Sequence, residues 1–191
     1  MNTISHFWNS MRNPEGWFTF KSFFEAIAKD MPDNANICTI GAWFGMSDAY
    51  LVVELANRGL KFTYNIIDPW DQGTIGEPEH QKIIAKYAPK TLYECFIENM
   101  REGGVLDLIN PIKLTSLEAV KLFEDNSLEF VFIDGDHSYE AVKADILAWL
   151  PKVKEGGVIS GDDWQWPQVE KAIREILPQY HTFGKAWYFE K

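Results

Sequence analysis

Two acidic runs hold the residue types best suited to chemistry in this chain, Asp134-Gly135-Asp136-His137 and Gly161-Asp162-Asp163. Asp134, Asp162 and Asp163 are hard oxygen ligands which, if grouped, would suit Mg²⁺ and leave positions for water and substrate oxygens. The competing assignment has Asp162 and Asp163 capping the chain that enters Trp166-Pro167, with Asp134 serving another ligand alone. His137 stands three residues after Asp134. Imidazole titrates near neutral pH, so His137 is suited to take a proton from a reacting hydroxyl. Its alternative role is that of a helix-entry residue, packing or meeting solvent ahead of Ser138. His6 and His181 lie near the ends of the sequence and His80 in a stretch of weak pattern, so surface or packing roles are expected for these three.

The elements that must position these residues are legible around them. Phe130-Val131-Phe132-Ile133 fits a strand buried on both faces, and it stops at Asp134. Ser138 fits an N-cap, after which Tyr139, Val142, Ile146, Trp149 and Leu150 recur at helical spacing until Pro151 and Gly156-Gly157 break the pattern. Val158-Ile159-Ser160 is the next strand and ends at the second acidic run. Two consecutive parallel strands would thus bring acids to the edge where open α/β sheets bind ligands.

Earlier in the chain, Asn13-Pro14-Glu15-Gly16 is a turn, and Phe20, Phe23, Phe24 and Ile27 mark the apolar face of a helix ending near Asp30-Met31-Pro32. Residues 1–32 are therefore expected to form an N-terminal helical cap, whose aromatic face either packs on the domain or walls a substrate pocket. Asn36 to Ile40 reads as a strand, followed by Gly41-Ala42-Trp43-Phe44-Gly45-Met46-Ser47 and a helix closed by Asn57-Arg58-Gly59. Glycines let the backbone approach a ligand, and a helix start offers free N–H groups. With only Gly41 and Gly45 the turn departs from the dinucleotide fingerprint, and the absence of Gly-Lys-Ser/Thr excludes a P-loop. Phe62 to Ile67 is a second strand, ended by Asp68, 27 positions after Gly41. A carboxylate there accepts ribose hydroxyls in open α/β folds; the alternative is a turn aspartate before Pro69.

Residues 70–90 are rich in Gly, Pro and acids, with little apolar period, and read as a surface excursion and candidate lid. Thr91 to Met100 is helical, and Pro111 to Leu114 is a third strand. Thr115-Ser116-Leu117-Glu118 is a capping box that sets Thr115 and Ser116 at the same edge. Pro167 opens a last helix, and Tyr180 to Phe183 with Ala186 to Phe189 forms a hairpin around Gly184.

With 191 residues and no repeat or linker, the chain suits one domain, 1–191. A formal charge of −10 without a compensating basic run argues against nucleic acid as a partner. Cys38 and Cys95 lack metal-like spacing and read as buried free thiols of a reducing compartment. Met1 to Met11 is not a basic-then-apolar leader and no run approaches the roughly 20 apolar residues of a membrane span, so a cytoplasmic protein without membrane contact is expected.

Alternating strands and helices, the glycine turn, the acids after the second and fourth strands and the terminal hairpin together resemble class I S-adenosylmethionine-dependent methyltransferases. Phe132 to Glu140, Leu150 to Gly157 and Gly161-Asp162-Asp163 look, more narrowly, like the macrocin O-methyltransferase-like group, distantly similar to catechol O-methyltransferases. The resemblance implies a Rossmann-like, doubly wound, seven-stranded sheet of order 3-2-1-4-5-7-6, with helices on both faces and only strand 7 antiparallel. It implies that Gly41, Ala42, Trp43 and Ser47, in the turn completed by Gly45, contact the methionine portion of S-adenosylmethionine. Asp68 would take the ribose, Ser116 would lie beside the adenine, and Asp134 would stand near the methyl-bearing end. His137 falls where macrocin-like relatives carry a histidine base. Thr39 occupies the position where many relatives carry an acid, so one cofactor contact is in doubt. The leading expectation is methyl transfer to a small-molecule hydroxyl, of a sugar or a secondary metabolite. The alternatives are a non-catalytic S-adenosyl or nucleoside binder acting through protein contacts, and a nicotinamide-dependent dehydrogenase. Homo-oligomerisation stays open.

Overall fold

The computed structural model describes residues 3–73 and 78–191. The strands β1 (Ala35–Ile40), β2 (Phe62–Ile67), β3 (Asn110–Ile112), β4 (Leu128–Ile133), β5 (Val153–Gly161), β6 (His181–Phe183) and β7 (Ala186–Glu190) form one sheet. Its order is β3-β2-β1-β4-β5-β7-β6. Pairings from β3 through β5 are parallel, while β7 runs antiparallel to both β5 and β6. The expected architecture is therefore the observed one.

The helices are α1 (Lys21–Asp30), α2 (Met46–Asn57), α3 (Pro78–Ala85), α4 (Leu92–Glu102), α5 (Ser116–Ala119), α6 (Tyr139–Trp149) and α7 (Pro167–Ile176). Successive strand residues point to opposite faces, and the central strands divide accordingly between two cores. Ile37, Phe130 and Phe132 pack with residues of α1, α2 and α4. Cys38, Ile40, Val131 and Ile133 pack with residues of α6 and α7 on the other face. Both cysteines are buried and free.

Phe23 and Phe24 of α1 are buried against Phe130 and Phe132, so this face belongs to the core and does not wall a pocket. Of the described residues 3–32, only Lys21–Asp30 is α-helical; residues 3–20 run without helix or strand. They are fastened by Asn57, which bonds both the amide and the carbonyl of Ile4, and by Asn13, which pairs with Asn99 of α4.

The expected excursion over 70–90 contains a helix, α3, because Ile83 and Ile84 find burial that the local pattern did not announce. The expected lid falls partly on residues 74–77, which lie outside the described residues. Strand β5 begins at Val153, earlier than Val158, with a register irregularity between Leu128 and Phe130. Its glycines pair rather than break: the Gly156 amide donates to the Lys191 carbonyl, and the Lys191 amide donates to the Gly157 carbonyl.

Candidate active site

The parallel strands end level, with Ile40 opposite both Ile67 and Ile133, Ile67 opposite Ile112, and Ile133 opposite Gly161. The next residues extend the ladder by one rung. Gly41 donates to Ile67, Asp68 to Ile112, Asp134 to Ile40 and Asp162 to Ile133, at 2.7–3.3 Å. Four expected site residues therefore share one edge of the sheet.

Gly41 has φ 87°, and a Cβ there would come 2.0 Å from the Asp134 carbonyl oxygen. Only glycine lets the β1 and β4 ends approach this closely. Gly45 caps α2 at φ 86°, and its side-chain direction is filled by Met100 and Phe96. Ser47 lies in the first turn of α2, partly exposed.

Asp68 is drawn into this turn. Its Oδ2 accepts the amides of Ala42 at 2.8 Å and Trp43 at 3.1 Å, and its Oδ1 accepts that of Trp70 at 2.6 Å. Burial pushes its pKa up against the pull of these bonds. Trp70 also donates its indole N–H to the Trp43 carbonyl at 3.0 Å. The Trp43 Nε1 is buried and, among the described residues, without a hydrogen-bond partner. Its ring meets His80 at 5.0 Å, and His80 in turn meets the exposed Trp17 at 5.2 Å.

At the β4–β5 end, His137 Nε2 lies 3.5 Å from Asp134 Oδ1 and 3.6 Å from Asp163 Oδ2, too far for a good hydrogen bond to either. Nε2 is buried without a partner among the described residues, and so is Asp162 Oδ1. The His137 ring rests against Trp166, 5.0 Å between centroids. Burial favours the neutral ring, but the interaction with Asp134 and the charges of Asp134, Asp163 and Asp162 outweigh it, so the His137 pKa is raised. Burial, followed by the charge of Asp134, lifts Asp162 to about 7. Burial also raises Asp134, against the opposing pull of His137.

Of the five non-glycine residues with positive φ among the described residues, Trp43, Trp70 and Asp163 lie at this edge. Such conformations cost about 1–3 kcal/mol each and persist where the surroundings fix them.

The acids expected to hold Mg²⁺ do not fit that role as arranged. Among the described residues no three His, Cys, Asp or Glu side chains form a group that could hold a metal ion. A ring nitrogen, His137 Nε2, instead lies between Asp134 and Asp163. Ser116 is bonded to Asp145 and Trp149 of α6.

Two buried acids beside the edge escaped the reading of the sequence. Asp48 of α2 is 1% exposed; its Oδ1 accepts the hydroxyls of Thr39 at 2.7 Å and Tyr64 at 2.6 Å. Thr39 on β1 thus holds a carboxylate that comes from α2. Burial raises Asp48 to about 7, with Asp134 and Asp68 adding to the effect. Asp145 interrupts the stripe Val142, Ile146, Trp149 at core spacing. An acid within an apolar stripe was the available signal in both helices.

The sheet order, the glycine turn facing an acid after β2 and the acid–histidine group after β4 and β5 define the fold and edge of a class I methyltransferase domain. Residues 38–164 match the family model described as Methyltransferase domain (Methyltransf_24), and the chain belongs to that family. It is 32% identical over 168 residues to uncharacterized protein y4gI of Sinorhizobium fredii (strain NBRC 101917 / NGR234), a match covering 80% of this chain and 17% of the relative. The chain thus spans less than a fifth of that relative's length. The fold is similar to that of the O-methyltransferase NovP, with a TM-score of 0.68 and 18% identity over 90% of this chain and 78% of NovP. It is similar also to an O-methyltransferase from Bacillus cereus solved with SAH, with a TM-score of 0.60 and 16% identity over 93% of this chain and 83% of that one. No helix among the described residues is long and apolar enough to cross a membrane.

Proposed function

We propose that this chain binds S-adenosylmethionine along the carboxyl edge of the sheet and methylates a hydroxyl of a small molecule, with His137 as the proton acceptor. The observation that carries this reading is the buried His137 Nε2, which has no hydrogen-bond partner among the described residues and stands beside the carboxylates of Asp134 and Asp163. The O-methyltransferase names of the two similar structures support transfer to oxygen.

The turn residues fit the cofactor. Trp43 Nε1 is a buried donor without a partner among the described residues. A carboxylate has about four acceptor sites and Asp68 uses three on backbone amides, so acceptor capacity is left for a ribose hydroxyl. When bound, S-adenosylmethionine supplies an electrophilic methyl group on a sulfonium. His137 would take the hydroxyl proton as the new O–C bond forms, and Asp134 and Asp163 would stabilise the imidazolium that results. No step requires a metal.

Thermal unfolding tests the reading. S-adenosylmethionine and its homocysteine product should raise the melting temperature, because a ligand bound only to the native state stabilises it, and NAD should not. A rise with NAD alone would favour the dehydrogenase alternative.

A further inference from the structure

Trp70 lies just beyond the end of β2 and is buried. Its amide donates to Asp68 Oδ1 at 2.6 Å and its indole N–H to the Trp43 carbonyl at 3.0 Å. The Trp43 amide in turn donates to Asp68 Oδ2 at 3.1 Å. Asp68, Trp43 and Trp70 are therefore joined in a closed ring of hydrogen bonds, and both tryptophans hold a positive φ, 54° at Trp43 and 43° at Trp70. The Trp70 ring is wedged against α4, 4.9 Å from Tyr93 and 4.8 Å from Phe96 between centroids.

Packing alone does not account for a tryptophan here. A phenylalanine ring could also meet Tyr93 and Phe96, but it has no N–H for the Trp43 carbonyl. That bond matters because Trp43 sits in a left-handed conformation, which persists in a non-glycine residue only where neighbours impose it. With its carbonyl held by Trp70 and its amide by Asp68, both peptide planes beside the Trp43 Cα are fixed. Asp68 is in consequence gripped through both oxygens, and its carboxylate cannot turn without breaking a bond. A carboxylate has about four acceptor sites, so the capacity Asp68 retains has one direction, at a partly exposed position of the edge.

We propose that Trp70 is a positioning residue: by holding the Trp43 carbonyl, its indole N–H fixes the direction of the Asp68 carboxylate and so sets how strongly the site selects a ligand with ribose hydroxyls. This rests on the reading above, in which Asp68 takes the ribose of an S-adenosyl ligand. A carboxylate fixed in advance meets a hydroxyl without first being ordered, whereas one free to swing loses part of that bond to its own ordering.

The test is calorimetric affinity for S-adenosylhomocysteine and for its 2′,3′-dideoxy counterpart, which lacks both ribose hydroxyls, in wild type and two variants. Wild type should prefer the ribose ligand by about ten- to hundredfold, the worth of a hydrogen bond to a charged group. Trp70→Phe keeps an aromatic ring against Tyr93 and Phe96 and removes the N–H. Replacement of Trp70 by 3-benzothienylalanine, in which sulfur stands for the N–H, removes the donor from a ring of nearly the same shape and guards against a folding defect. In both, the preference should fall by about fivefold or more, as one net hydrogen bond is lost. A merely structural role weakens both ligands alike, so a wild-type preference in both variants overturns the proposal. Loss of both ligands together in the shape-preserving variant overturns it as well. If wild type binds neither ligand, the cofactor reading falls and this inference with it. If wild type shows the preference and neither variant changes it, only this inference falls.

Discussion

Asp68 and Asp162 each follow a strand at the carboxyl edge of the sheet, yet their surroundings differ sharply. Asp68 accepts three backbone amides, from Ala42, Trp43 and Trp70. Asp162 Oδ1 is buried without a partner among the described residues, and so is the neighbouring His137 Nε2. Burial acts on both acids, but only at Asp162 do neighbouring carboxylates, Asp134 before Asp163, add to it. The β1–β2 end is thus ordered by hydrogen bonds within the chain, the arrangement the proposed cofactor binding would use. The β4–β5 end concentrates like charge around one histidine, the arrangement the proposed proton transfer would use.

The largest effect that follows is on turnover. His137→Ala should lower methyl transfer by roughly 10²–10⁴-fold while leaving S-adenosylmethionine affinity nearly intact. The raised His137 pKa sets the acid limb of the wild-type profile above the ordinary value of 6.5. Single-turnover rates across pH check both, and a variant with the wild-type rate and acid limb would erase the distinction between the two ends.

Asp48 probes the binding end from beneath. Its folded-state pKa, about 7, lies above the ordinary 3.8, so the protein is favoured by Asp48 in its protonated form. That contribution is full below 3.8 and is lost as pH rises through about 7. The displacement corresponds to at most roughly 4 kcal/mol. Asp48→Asn keeps an acceptor for Thr39 and Tyr64 and removes the charge. Denaturant unfolding should therefore show a flatter decline of stability with pH in the variant, and a parallel decline would place the cost elsewhere.

Asp68→Ala should weaken S-adenosylmethionine binding by about 1.5–3 kcal/mol, the range for a lost bond to a carboxylate. Part of that loss would come through the amides of Ala42 and Trp43, which would be left without their acceptor. Unchanged calorimetric affinity would remove Asp68 from the binding end. The smallest effect is expected from chelation. With His137 Nε2 between Asp134 and Asp163, exhaustive chelation should leave turnover unchanged, whereas a loss restored by Mg²⁺ would mean that the acids regroup around an ion.

Much of this was readable from local pattern. Phe62–Ile67 is a strand with the boundaries its β-branched and aromatic run suggested, and Ser138 caps α6 by accepting from the Ala141 amide. The Thr115 capping box is formed by side chains three residues apart. Where the pattern misled, distant partners decided. Ile83 gains its burial in the core it shares with residues of α1, α2 and α4, and Gly156-Gly157 continue β5 because Lys191 pairs across from them.

The sequence by itself determined the succession of the strands, both faces of the central ones and the positions at which Gly41, Asp68, Asp134 and Asp162 leave them, because periodicity and caps are written within a few residues. Only the tertiary structure decided how each acid is satisfied. Asp68 meets amides 25 and 26 residues away, Asp145 meets a serine 29 residues away, and His137 meets Asp163 from beyond the end of the next strand. A carboxylate's pKa and reactivity follow from burial and from such neighbours, and those exist only once the sheet has brought its strand ends level.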